Sequence, residues 1–377
     1  MNEPELRSCF PVTRHWTYLN HASVGPLALP AAERMAELAH LVAATGDRRW
    51  PERNAAVEVA RAAAARLLGA ADPHCVAFVE NTATGLSLVA EGLPWSRGDN
   101  AVTADCEYPA NVYPWMNLGR RGVELRLVPA REDGRVDPGD LMARVDGRTR
   151  VLALSWVQYA TGFRSDLAAL SAACRDRGVL FVVDVAQGLG ALVLDVEAQG
   201  VDVAATTGHK WLLGPEGSGI LYLSERARQV LAPARAGARS VARPFDWERL
   251  ELDFTPGALA WECGTLNVYG ILGLGAALEL LLALGPRRIE DRVLAHAGRL
   301  AEGLAAAGYR LASPRGPGET SGIVSLAHPR RNAEEVAAAA ARQGVVVSAR
   351  AGRVRLSPHV YNSAEDIERA VAVLSSL

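Results

Sequence analysis

The sequence predicts an open α/β fold: a large domain on a mostly parallel sheet flanked by helices, then a smaller α+β C-terminal domain. Three observations predict it. Short apolar runs alternate with helical segments from residue 75 to residue 223. The run Val179 to Val185 has almost no polar residue and is apolar on both faces, as an interior parallel strand requires. After about residue 270 the helices lengthen and the strands become sparse.

The elements follow in order. The first thirty residues read as an extended arm with turns, because "YLNHASVGPL" contains Asn20, Gly25 and Pro26. Pro30 opens a helix through Leu38, and a second helix covers Ala55 to Leu68. Strands are expected at Cys75–Val79, Asn100–Thr103, Val123–Val128, Val151–Trp156, Val179–Val185, Val203–Thr206 and Ile220–Leu223. Helices are expected between them at Thr84–Glu91, Ala110–Leu118, Pro138–Val145 and Asp166–Arg177. Two long helices follow, Leu272–Leu284 and Ile289–Ala307. The tail adds strands at Ile323–Leu326, Val345–Ser348 and Val354–Leu356, with helices at Ala333–Gln343 and Ala364–Leu374. Ser363 and Asp366 approximate a capping box for the last helix. The expected division is an arm (1–30), a large domain (31–270) and a small domain (271–377).

Composition excludes several classes. The 377 residues carry 40 basic and 42 acidic side chains, a formal net charge of -2, and nothing in that balance suggests a basic footprint for nucleic acid. The five cysteines are scattered and odd in number, with no CxxC pair, which argues against a disulfide framework and a structural metal site. The first residues have charges where a signal peptide needs an apolar core, and Gly273, Gly275 and Glu279 interrupt the longest apolar run. The expectation is a cytoplasmic protein with no membrane partner. The glycine groups at 188–190 and 214–219 lack the strand, turn and helix order of a dinucleotide fingerprint.

The chemistry concentrates in "VVDVAQG" and "TTGHKW". Asp184 ends the most hydrophobic strand, at the sheet edge where α/β proteins bind ligands. Asp184 alone could be a turn residue, and Lys210 alone a solvated lysine. Together they suit pyridoxal 5′-phosphate (PLP), which needs a lysine for its aldehyde and an acid beside its pyridine nitrogen. Lys210, once displaced by the substrate amine, can move the Cα proton. His209 would lie beside the pocket. "ENTATG" at 80–85 follows a strand and opens a helix, whose first N–H groups with Thr82 and Thr84 could hold a phosphate dianion. Thr207 is a second contributor, and an ordinary threonine-capped helix is the alternative.

These residues carry a resemblance. The chain resembles the class V aminotransferases of PLP fold type I, through "YLNHASVGPL", "ENTATG", "CEYPAN", "SWVQYATG", "VVDVAQG", "TTGHKWLLGPEGSGILYL", "WECGTLN" and "VRLSPHVYNSAEDI". This group includes cysteine desulfurases, selenocysteine lyases, kynureninases and isopenicillin N epimerase-like enzymes. The resemblance implies that Lys210 bonds the cofactor, Asp184 pairs with the ring nitrogen and Gln187 reaches the ring oxygen. It implies that Thr82, Ala83, Thr207 and His209 surround the phosphate. Thr265 would reach the neighbouring subunit's phosphate, which implies a homodimer with shared sites. Tyr108 stands where the desulfurases stack a histidine, and tyrosine matches the epimerase-like branch better. Gln158 would contact the cofactor or substrate. Arg355, with Arg350 and Arg353 competing, would clamp the substrate carboxylate. Asn20 and His21 of the arm would touch substrate, while His359 and Tyr361 would be structural. Trp211, Trp261 and the arm would wall the side-chain pocket.

One departure matters. Desulfurases carry a mobile cysteine ahead of the carboxylate-binding arginine, and "VVVSARAGRVRLSP" has none. Desulfurase activity is therefore disfavoured. The leading expectation is an aminotransferase-like enzyme that removes the Cα proton of a cofactor-bound amino acid. A carbon–sulfur or carbon–nitrogen lyase is second and an epimerase third. A binding module without activity is the non-catalytic alternative, opposed by the joint presence of Lys210, Asp184, Gln187 and Arg355.

Overall fold

The computed structural model describes every residue except Trp247. The chain begins with a helix, Glu3–Ser8, closed by a capping box: Asn2 accepts from the Glu5 N–H, and Glu5 accepts from the Asn2 N–H. A 3-10 turn, Pro11–Arg14, follows. The expectation of an extended arm is corrected over this stretch. A 2.6 Å ion pair between Arg7 and Asp366 ties the first helix to the last one. The chain extends only from β1 (Thr17–Tyr18) onward. Two helices, Leu29–Thr45 and Trp50–Leu68, lead into the sheet.

Seven strands build that sheet: β2 (Val76–Val79), β3 (Asn100–Ala104), β4 (Glu124–Val128), β5 (Thr149–Ser155), β6 (Leu180–Asp184), β7 (Val203–Thr207) and β8 (Gly219–Leu223). Their spatial order is β2-β8-β7-β6-β5-β3-β4. The pairs from β4 through β7 are parallel. β8 runs antiparallel to both its neighbours, so β2 points the same way as β7. β6 sits at the centre with all five residues buried, which is why its sequence is apolar on both faces. All six co-directional strands therefore end on one side of the sheet.

The expected Ala110–Leu118 helix is corrected. The segment breaks into a 3-10 turn at Pro109–Asn111, a single turn at Tyr113–Met116 and another 3-10 turn at Asn117–Arg121. Pro109 and Pro114 each occupy a first turn and lack the N–H that would continue the preceding one.

The C-terminal region adds β9 (Arg310–Leu311), β10 (Val324–Ala327), β11 (Val345–Val346), β12 (Ser348–Arg350) and β13 (Arg353–Leu356). Four of them form an antiparallel sheet in the order β12-β13-β10-β9. The expected Val345–Ser348 strand splits at Val347: β11 pairs in parallel with β1, and β12 turns to pair with β13. The helix Val268–Leu284 lies against Leu29–Thr45 and Trp50–Leu68, and its leucines join the core of the large sheet. A separate core gathers Leu19, residues from Ala297 onward and Leu374. The Ser363–Asp366 capping box is present.

Candidate active site

A cavity of about 500 Å³ opens where the co-directional strands end, within the size range of small-molecule sites. Asp184 closes β6, Thr207 closes β7, and the chain beyond β7 carries His209 and Lys210. The turn after β3 brings Tyr108, and the turn after β5 brings Tyr159. Asn81, Thr82 and Ala83 follow β2. The hairpin of β12 and β13 supplies Arg350 and Arg355, and the arm supplies Ala22, Ser23 and Val24.

The arm is held down at close quarters. The Gly25 N–H donates to the His209 carbonyl at 2.7 Å. A Cβ at Gly25 would stand 2.3 Å from the Lys210 carbonyl oxygen, so only glycine lets the arm cross there.

Asp184 is buried, and burial pushes its carboxyl above the usual range while Lys210 pulls it back. Its Oδ1 accepts the Ala186 N–H at 2.8 Å. Lys210 is brought below the ordinary lysine value by burial, against the pull of Asp184. Its Nζ lies 5.3 Å from the centre of the Tyr108 ring, and Tyr108 packs edge-on against Tyr159. Burial, then Arg350, lowers the Arg355 guanidinium to about 10. Arg355 spends one donor on each nitrogen: Nε to Ser348 Oγ at 3.2 Å, Nη1 to the Tyr159 carbonyl at 2.7 Å and Nη2 to Ser23 Oγ at 2.7 Å. One hydrogen remains on each terminal nitrogen, the pair that a carboxylate bridges.

The residues at the helix Thr82–Gly92 fit a phosphate. Asn81 caps it by accepting the Thr84 N–H at 2.9 Å, which leaves the Thr82 and Ala83 N–H groups free at the positive end of the helix. The Thr82 hydroxyl is buried without a hydrogen-bond partner, a cost that an incoming acceptor would remove. Thr207 Oγ1 bonds His209 Nδ1 at 2.8 Å beside it. Gln187 donates from Nε2 to the Ala22 carbonyl and accepts from Trp211 Nε1, each at 2.9 Å, and keeps one N–H for a ring oxygen. Together with Asp184 for a protonated ring nitrogen and Lys210 for an aldehyde, these donors fit PLP.

The structure also separates residues that the sequence reading grouped. Gln158 lies behind the wall, with its amide bonded to Glu107 Oε1 at 2.5 Å and to the Cys106 thiol at 3.5 Å. Its neighbour Tyr159, in the turn after β5, lines the cavity instead. Thr265 is exposed and lines a second cavity of about 240 Å³, shared with Trp261. Trp211 is fully buried. The tryptophan wall is therefore corrected to one built by Tyr108, Tyr159 and the arm. Arg353 opens onto a different cleft with Arg310 and Arg315. Ser23 and Tyr159 are contributors that sequence reading missed, and Arg350 is one that it ranked second.

Asn20 and His21 are corrected as substrate contacts. Asn20 bridges to Ser357 and stays outside the cavity lining. His21 is fully buried, donating Nδ1–H to the Ser357 carbonyl and accepting from the Tyr361 hydroxyl at Nε2, both at 2.8 Å. Beside it, His359 donates Nε2–H to the Trp211 carbonyl at 3.0 Å and accepts the Val360 N–H at Nδ1. Each ring is committed as neutral imidazole, and burial lowers His359 to about 4. The unfolded chain takes up these protons first, so stability falls as pH drops from about 6.5 towards 4. His359 alone should cost about 2 kcal/mol at about pH 5. Thermal unfolding near pH 7.5 and pH 5 should show this loss, and His359→Gln should lose less between the two. An equal acid loss in the variant would remove the explanation.

The chain matches the family described as Aminotransferase class-V over residues 33–370. It is 31% identical to a probable cysteine desulfurase of Methanothermobacter thermautotrophicus, covering 98% of this chain and 96% of that one. It is 32% identical to a cysteine desulfurase of Klebsiella pneumoniae, covering 86% and 83%. Among solved structures it is similar to the apo cysteine desulfurase of Thermococcus onnurineus, with TM-score 0.89 and 27% identity over 100% of this chain and 98% of the other. It is also similar to the cystine C-S lyase C-DES in complex with its product cysteine persulfide, with TM-score 0.91 and 25% identity over 98% and 99%. A related C-DES structure holds glycine covalently linked to PLP. These relatives are named for cysteine desulfuration, the activity that the missing cysteine disfavours, or for cystine C-S cleavage, and not for epimerisation. A mixed α/β sheet of fold type I, a strand-end aspartate paired with a buried lysine, and a match over nearly the whole chain agree: this protein belongs to the class V aminotransferase family and is a PLP-dependent enzyme.

Proposed function

We propose that the enzyme is a carbon–sulfur lyase acting on an amino acid that carries sulfur on Cβ. With one water the reaction gives a thiol or persulfide, pyruvate and ammonia. The observation that supports this reading is a cavity that presents Lys210, Asp184 and Arg355 but no thiol. None of the five cysteines lines it. Cys106 stands behind the wall against Gln158, its thiol pushed up to about 12 by burial and by Glu107 and Asp105. The turn joining β12 to β13 is only Ala351 and Gly352, too short to deliver a mobile nucleophile. In this reading the sulfur leaves on the substrate fragment, and relatives named cysteine desulfurase and cystine C-S lyase support carbon–sulfur cleavage over the transamination expected from sequence.

Bound PLP supplies an electron sink for the Cα carbanion. Arg355 holds the α-carboxylate through its two spare N–H groups. Lys210, lowered by burial, takes the Cα proton at Nζ, and Asp184 would stand beside the ring nitrogen. Tyr108 and Tyr159, packed edge-on, wall the cavity beside Lys210.

The test is to incubate the PLP-loaded enzyme with L-cystine and cysteine S-conjugates, without any keto acid, and measure pyruvate, ammonia and alanine. Equal pyruvate and ammonia, unchanged by Cys106→Ser, are expected. Alanine with a protein-bound persulfide would establish desulfuration instead, and conversion only with a keto acid would restore transamination. We also propose a homodimer in which exposed Thr265 completes the partner's phosphate site. A single-chain mass in sedimentation would overturn that arrangement.

A further inference from the structure

The cavity holds one more cation than this chemistry uses. Its charged lining is Asp184, Lys210, Arg350 and Arg355, with His209 held towards its neutral form by burial. Lys210 and Asp184 serve the cofactor and Arg355 the α-carboxylate, which leaves Arg350.

Arg350 differs from Arg355 in every respect that bears on ligand binding. Arg355 is buried and fixed by three hydrogen bonds. Arg350 is exposed, and among the described residues no carboxylate lies within ion-pair distance of it. Its guanidinium makes one long hydrogen bond, 3.4 Å to the Ala349 carbonyl. Register places Arg350, its opposite residue Arg353 and Arg355 on one side of the hairpin, and of these Arg350 and Arg355 line the cavity while Arg353 lines the neighbouring cleft. Ser348 lies directly opposite Arg355 and bonds it, and Arg350 is two residues further along that strand. Diagonal neighbours of this kind are about 7–8 Å apart at the backbone. The turn at Ala351, with φ of 48°, and Gly352, with φ of 71°, fixes the end of the strand that carries Arg350. An unpaired cation at the mouth, one diagonal step from the carboxylate clamp, matches a ligand with a second negative charge at its far end.

We propose that Arg350 determines specificity, selecting sulfur amino acids whose leaving fragment ends in a carboxylate over those with a neutral or cationic end. Symmetric disulfides of cysteine fall in this class, because their leaving half carries its own carboxylate. The inference rests on the lyase reading for the reaction it selects, but the second charge can be tested without turnover.

The test uses three mixed disulfides of L-cysteine, with 3-mercaptopropionate, 2-mercaptoethanol and cysteamine. They share the scissile Cβ–S bond, and each releases a persulfide that differs from the others in its terminal group: carboxylate, hydroxyl or ammonium. The PLP-loaded enzyme should cleave the carboxylate-ended substrate with kcat/KM about tenfold above the hydroxyl-ended one, as a charge-assisted contact implies, with the amine-ended one lowest. Arg350→Gln should bring the carboxylate-to-hydroxyl ratio close to unity, mainly through KM, and Arg350→Lys should restore part of it. A ratio near unity in the unaltered enzyme, or an equal loss on all three in Arg350→Gln, overturns the proposal. Binding is measured in parallel by calorimetry with 3,3′-dithiodipropionate and its singly hydroxyl-ended counterpart, which have no amine to react. Tighter binding of the dicarboxylate that disappears in Arg350→Gln supports the inference even if no disulfide is cleaved, a result that would count against the lyase reading alone. Equal affinities overturn the inference whatever the reaction.

Discussion

Lys210→Ala is expected to leave a folded protein whose turnover falls on the order of 10⁴-fold, because one substitution removes both the group that bonds the cofactor and the group that moves the Cα proton. The fold should survive. Lys210 is a cation held below its ordinary pKa by burial in a cavity with surplus positive charge from Arg350 and Arg355. Removing it relieves that cost, so the thermal midpoint without cofactor should hold or rise slightly. Lys210→Arg should be as inactive as the alanine variant although it keeps the charge, since a guanidinium is not deprotonated near neutral pH and cannot serve as an amine. The measurements are pyruvate release and the visible absorbance of the PLP-loaded protein. A Lys210→Arg enzyme with substantial activity would show that positive charge alone is what position 210 supplies.

The sequence made the sheet centre and the lysine–aspartate pair readable for a physical reason. A strand buried on both faces must be apolar throughout, so Asp184 at its end stands out, and a strand end is where an α/β sheet binds ligands. Strand direction was not legible. Gly219–Leu223 reads like its neighbours and yet runs against them, because five apolar residues carry no record of which edge they join. The arm divided in the same way. The helix Glu3–Ser8 is legible in the Asn2 and Glu5 spacing with Pro4 in the first turn. That Ser23 would meet Arg355 had no local signal, since their partnership arises only when the arm and the β12–β13 hairpin meet across 332 residues of chain. Tyr159 in place of Gln158 is a displacement of one residue in the turn after β5, enough to exchange a cavity wall for a buried network with Glu107. Arg350 was visible as a residue but not as an unpaired one, because pairing is decided by distant elements.

The largest stability effect should come from outside the cavity. β2 is an edge strand, and its outer side would leave the Phe78 N–H and the Val76 carbonyl without partners. Glu262 and Arg61 fill that edge. Glu262 Oε1 accepts the Phe78 N–H at 2.7 Å, and Arg61 Nη1 donates to the Val76 carbonyl at 2.8 Å. The two side chains meet at 2.6 and 3.1 Å, with Arg61 fully buried. Glu262→Ala leaves a buried guanidinium whose remaining carboxylate, Glu58, is half exposed, and strands the Phe78 N–H as well. The expected loss is about 3–5 kcal/mol, read from denaturant unfolding of the cofactor-free protein. Because the pair is buried, added salt should change the loss little. Arg61→Met with Glu262→Leu should recover part of it by removing both charges. Recovery should stay incomplete, because the two backbone groups of β2 remain unpaired at about 1–3 kcal/mol each. The effect should also reach the site. β2 runs straight into Asn81, Thr82 and Ala83, so loosening its edge moves the phosphate cradle, and Glu262→Ala should hold PLP more weakly even where it is folded. A Glu262→Ala protein that unfolds within about 1 kcal/mol of the parent would mean that Glu58 and water satisfy Arg61, and that the edge of β2 does not depend on this ion pair.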